Sequence, residues 1–121
     1  MLACTSSSLS ATTCHTTSRA HPSQVCTCFF LDCLEDTAAA VAAVRAAVRP
    51  GGLFVFAGPL EWHAWPGLCP TLDQLVQLAE ETGLEPLGAP ELMSAPYVGK
   101  PDALLHKQQW QAAVFACRRD G

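Results

Sequence analysis

From residue 25 onward the chain alternates between apolar runs of strand length and stretches with a helical period. The run 25–31, Val-Cys-Thr-Cys-Phe-Phe-Leu, is almost continuously apolar and β-prone, which predicts a strand buried on both faces and ended by Asp32. Asp36 is placed to cap a helix over 37–49, where Val41, Val44 and Val48 share one face among alanines of high helix propensity. Pro50-Gly51-Gly52 stops that helix. A second apolar run, 53–57, follows a helix just long enough to cross back over a parallel pair, so the three elements form a βαβ unit.

The loop 58–70 is rich in Gly, Pro and Trp, and after it Thr71 and Gln74 form a capping-box pattern. The helix they start carries Leu72, Leu75, Val76, Leu78 and Ala79, with Gly83 where its C-terminal cap belongs. A third strand is expected within 84–92, kept short by Pro86 and Pro90. The stretch 94–109 reads as a polar connection, 110–117 as a last strand and 118–121 as a solvated tail. The order β-α-β-α-β-β belongs to an α/β domain and describes the second half of a doubly wound sheet.

Residues 1–24 follow no such pattern. Ser and Thr fill 11 of those 24 positions and no acidic residue precedes Asp32, so the expectation is a disordered leader, 1–24, ahead of a folded part, 25–121. The same composition also fits an organellar transit peptide. Seven basic against eleven acidic side chains leave a formal charge of −4, with no electrostatic footprint for nucleic acid or an anionic membrane. No apolar run approaches the roughly 20 residues of a membrane-spanning helix. The seven cysteines are odd in number and several lie inside apolar runs, which argues for a reducing compartment and a cytoplasmic location, with nucleus or organelle left open. Cys14, His15, His21, Cys26 and Cys28 lack a zinc-ligand spacing, so no metal site is expected and Cys26 and Cys28 read as small core residues. Cys69 lacks the flanking charge that would lower a thiol pKa.

In open α/β sheets ligands bind beyond the carboxyl ends of the strands. Two chemistry-bearing residues stand there: Asp32 after the first strand, and His63 just past the second. On pattern alone Asp32 is equally a helix-capping carboxylate and His63 equally a surface-loop histidine. A nucleotide or S-adenosyl pocket also needs a glycine-rich turn after its first strand, and no G-x-G occurs in the chain.

Thr27-Cys28-Phe29-Phe30-Leu31-Asp32, then Arg49-Pro50-Gly51-Gly52, then Gly58-Pro59-Leu60 with His63 four residues past the proline, resembles the carnosine N-methyltransferase family, also described as having an N2227-like domain. The likeness runs from about Val25 to Arg119. It implies the C-terminal half of a Rossmann-like class I methyltransferase sheet, S-adenosylmethionine as cofactor, and methylation of the imidazole of carnosine or a related histidine-containing peptide. The family's substrate-binding aspartate maps onto Asp32, its histidine onto His63 and one tyrosine onto Tyr97; a further family tyrosine falls at about Trp110. By this resemblance Asp32 and His63 are the expected catalytic residues, and Asp32, His63, Tyr97 and Trp110 the expected substrate-binding set. An indole stacks on an imidazole but cannot reproduce a phenol's donor and acceptor behaviour. The family's helical region, first strands and glycine-rich turn have no counterpart in residues 1–24, so the cofactor-binding residues are unassigned. The competing expectations are a non-catalytic α/β fragment or pairing module without cofactor binding, and an unrelated small α/β binding module.

Overall fold

The computed structural model describes residues 21–62, 67–96 and 109–121. Five strands form one sheet: β1 (Gln24–Cys28), β2 (Leu53–Gly58), β3 (Leu84–Pro86), β4 (Glu91–Pro96) and β5 (Gln109–Arg119). Two helices, α1 (Thr37–Ala47) and α2 (Leu72–Glu81), connect β1 to β2 and β2 to β3. The order across the sheet is β1-β2-β5-β3, with β4 also on β5. β1 and β2 are parallel, and β5 runs antiparallel to β2, β3 and β4. The expected α/β class is what the chain forms, and its five strands and two helices are compatible with part of a Rossmann-like sheet.

Both helices start where the capping residues stand. Asp36 accepts a hydrogen bond from the Ala39 amide at 2.9 Å, and Thr71 and Gln74 make the reciprocal bonds of a capping box. α1 buries Val41 and, at its C-cap, Val48, while α2 buries Leu75 and Ala79. These side chains join Val25, Phe54, Phe56, Ala113, Phe115 and Cys117 in one core, which places both helices on the same face of the sheet. Phe115 organises the centre, stacked on Phe56 at 5.0 Å and edge-on to Phe54 at 6.2 Å. Such pairs contribute about 1 kcal/mol each beyond their buried area.

Three local expectations need correction. The first strand ends at Cys28 and alternates in burial, with Val25 and Thr27 inside, Cys26 half-buried and Cys28 exposed; the two cysteines lie on the face away from the helices and are not core residues. Leu31 and Asp32 belong to a separate 3-10 turn, Leu31–Cys33. Second, the region expected as one marginal strand plus a loop is two strands on the same edge of β5. Pro86 faces Cys117 and Glu91 faces Val114, so five steps along this edge match three on β5, a two-residue bulge around Gly88. Pro86 is tolerated because the edge needs no amide there. Third, Arg118 and Arg119 are in β5, and the Arg119 guanidinium donates to the Val48 carbonyl at the end of α1.

No helix among the described residues is long and apolar enough to cross a membrane.

Candidate functional site at the carboxyl ends of β1 and β2

The chain leaves β1 through an abrupt change of direction. Phe29 has φ 50, its amide donates to the Ala57 carbonyl at 2.8 Å, and the 3-10 turn follows. Gly58 permits this crossing, since a Cβ there would lie 3.1 Å from the Phe29 nitrogen and 3.2 Å from its Cα. The turn carries Asp32 four residues past the end of β1, with only 3% of its surface exposed. A carboxylate is rarely buried so far without a purpose, because desolvation penalises its charge. The helix cap is not that purpose, since Asp36 supplies it.

Asp32 also acts on its neighbour. Partial desolvation, and then the Asp32 carboxylate beside it, push the Cys33 thiol up; the thiol donates to Asp32 Oδ1 at 3.9 Å. Cys33 therefore stays protonated at neutral pH.

The loop after β2 is fixed at both of its described ends. Pro59 is buried, Leu60 and Trp62 pack against the core, and the Trp62 indole donates to the Pro70 carbonyl at 2.9 Å. The fully buried Thr37 donates through Oγ1 to the Leu68 carbonyl at 3.2 Å, tying the start of α1 to the same loop. These anchors hold together the two segments that leave the carboxyl ends of β1 and β2. Trp110 lies at the same end of the sheet: β2 ends at Gly58 opposite Ala113, and Trp110 stands three residues beyond on β5, its side chain half-buried. His63 and Tyr97 lie outside the described residues. The structure thus places Asp32 and Trp110 at one rim. No local pattern gives Phe29, Gly58 or Trp62 a structural role at this rim, although Phe29-Phe30 and the Gly-Pro at 58–59 stand out in the sequence.

Between β1 and α1 runs an apolar groove of about 230 Å³, lined by Val25, Thr27, Phe30, Leu31, Leu34 and Val44 among others. The buried Thr27 hydroxyl has no hydrogen-bond partner, and β1 pairs only with β2 among the described residues.

The model of the carnosine N-methyltransferase family matches residues 5–121, nearly the whole chain. The chain belongs to the carnosine N-methyltransferase family. No curated protein matches it. Membership gives its chemical class as methyl transfer, and methyltransferases of this kind generally use S-adenosylmethionine. The described residues do not fit that cofactor. Its recognition calls for a glycine-rich turn between a strand's carboxyl end and a helix. Gly51 and Gly52 precede β2, Gly58 is packed on Phe29, and Gly83 lies after α2, where an added Cβ would meet Arg45 and Asp120. Among the described residues no group of three or more His, Cys, Asp or Glu is placed to hold a metal ion.

Proposed function

We propose that this chain carries the acceptor side of an S-adenosylmethionine-dependent N-methyltransferase that acts on the imidazole of carnosine or a related histidine-containing peptide. The observation that carries the reading is the burial of the Asp32 carboxylate at the carboxyl end of β1 in a chain of this family. Methylation of an imidazole requires a neutral ring with one nitrogen lone pair free. A carboxylate that accepts the N–H of the other nitrogen fixes the tautomer and orients the free lone pair. As the ring gains positive charge, the same carboxylate stabilises it, and more strongly because water is excluded. In this reading His63 supports the same ring, while Tyr97 and Trp110 complete the acceptor site. The methyl donor is held by residues other than those described.

Titration calorimetry with carnosine tests the assignment. Wild-type chain binds the dipeptide, and Asp32→Asn weakens binding by about tenfold to a hundredfold, the worth of a charged hydrogen bond, with an unchanged circular dichroism spectrum. Equal affinity in the variant removes Asp32 from the site. S-Adenosylmethionine alone gives no saturable binding at micromolar concentration; saturation there would contradict the confinement of this chain to the acceptor side.

The outer edge of β1, which pairs with no strand among the described residues, favours a second reading, a non-catalytic pairing module, because an open strand edge recruits another strand. That reading requires concentration-dependent association without any affinity for carnosine.

A further inference from the structure

The two helices present different outer faces. α2 turns Asp73, Gln74, Gln77, Glu80 and Glu81 outward, as a surface helix does. Along α1 the polar side chains are Thr37, which is buried, and Arg45, which pairs with Asp120, and the exposed positions are all alanine. A helix without a polar face is one whose outer side another element covers. Beside it stands a second unfinished surface. Ser23 accepts from the Leu53 amide and Phe29 donates to Ala57, so the odd-numbered residues of β1 direct their amides and carbonyls to β2. Those of Gln24, Cys26 and Cys28 point the other way, to an edge with no strand on it among the described residues. That edge carries no charge, no proline and no bulge, the devices that keep strand edges apart. The groove between β1 and α1 joins the two surfaces. None of its lining residues belongs to β2, so it opens on this same side, with Ala40, Ala43 and Ala47 along its helical wall.

We infer that this side of the molecule is a self-association surface, occupied by a second copy of the chain whose β1 runs antiparallel to the first across a two-fold axis at Cys26. Charge favours a second copy over an unrelated strand. A two-fold axis sets equivalent residues near its centre against each other, so the contact must be neutral there and complementary at its ends. β1 and the alanine wall supply the neutral centre. At the ends, the exposed Glu35 and Asp36 just before α1 come beside the exposed Arg49 just after α1 of the second copy. Antiparallel α1 helices also bring opposite dipole ends together. In this register the outward groups of Gln24 meet those of Cys28 of the second copy, Cys26 meets its equivalent, and Val25 faces Thr27 on the helix side. The inference rests on the pairing reading only for the open edge, and holds whether or not the chain binds carnosine.

Sedimentation velocity of the whole chain under reducing conditions, from about 5 to about 500 µM, tests this, with amide hydrogen exchange at both ends of the range. Wild type should pass from monomer to dimer, and exchange at Gln24, Cys26 and Cys28 should slow as it does. Ala43→Glu sets like charges across the axis at an exposed helical position, and should weaken dimerisation at least about tenfold with an unchanged circular dichroism spectrum. Ala42→Glu, exposed but outside the groove, should dimerise as wild type does. An equimolar mixture of Ala43→Glu and Ala43→Lys should dimerise again, which a misfolded variant cannot do. A wild type that stays monomeric throughout, as it would if residues 1–20 of the same chain covered the edge, overturns the inference. Carnosine titration separates it from the pairing reading. A dimer that binds carnosine and is dissociated by Ala43→Glu keeps the inference and ends the non-catalytic reading. Association that Ala43→Glu leaves intact, without carnosine affinity, ends the inference and leaves that reading standing.

Discussion

At the end of the sheet where β1 and β2 begin, the chain is tied down at every turn, whereas at the end where they finish it carries strain and a buried carboxylate. At the first end Arg49 and Leu53 donate to the carbonyls of Pro22 and Ser23, Gly51 donates to the Arg119 carbonyl while the Arg119 amide donates to that of Gly52, and Arg45 pairs with Asp120 at 2.9 Å. Gly51 is set by its φ of 72, and Gly52 by space: a Cβ on Gly52 would sit 2.7 Å from the Ser23 carbonyl oxygen and 2.8 Å from that of Arg49. At the other end Phe29 is held at positive φ and Asp32 is sealed from solvent. One end of the molecule is optimised for the fold. The other holds a strained Phe29 and a buried carboxylate, the features on which the proposed acceptor site rests.

Substitutions at the two ends should separate stability from binding. The largest effect belongs to Gly52→Ala, where the new methyl meets backbone that cannot yield. Urea unfolding should show a loss of at least about 2 kcal/mol. A variant of wild-type stability would mean that the closed end is softer than its geometry requires. Next comes alkaline pH. Burial, with Glu80 nearby, pushes the Cys117 thiol up to about 11 from 9.0. The folded state thus holds its proton more tightly than the unfolded one. Its contribution is complete below pH 9 and is lost as pH rises toward 11, by roughly 2 kcal/mol. Cys117→Val should flatten that part of the unfolding profile, and an unaltered slope would show that Cys117 is not its source. The smallest of the three is Thr71→Ala, which removes the capping box of α2 at a cost of about 1 kcal/mol and should leave carnosine affinity untouched. A fall in affinity would mean that stability and binding are not separable between these elements.

The closed end and both helices are legible in the sequence because their determinants are local. Asp36, Thr71 with Gln74, and Pro50-Gly51-Gly52 each dictate a start or stop within a few residues. The open end is legible only in part. The apolar run 25–31 shows no break, yet the strand stops at Cys28, since the turn at Phe29 is set by Ala57 and Gly58 on the neighbouring strand. β4 escapes a local reading for the same reason: Ser94 and Pro96 have little strand propensity, and their pairing is imposed by the long strand β5. Topology alone puts Asp32 at the right end of the sheet. That it is buried, and that Phe29 is strained beside it, are consequences of tertiary packing that no local pattern encodes.

In the proposed function the acceptor sits where β1 and β2 end. Amide chemical shifts of the isotopically labelled chain, followed during a carnosine titration, test it most directly. Saturable shifts are expected at Phe29–Cys33, Gly58–Trp62 and around Trp110, with none at Arg45, Gly52 or Asp120. Shifts centred on those last three residues, with the Asp32 turn silent, would contradict it.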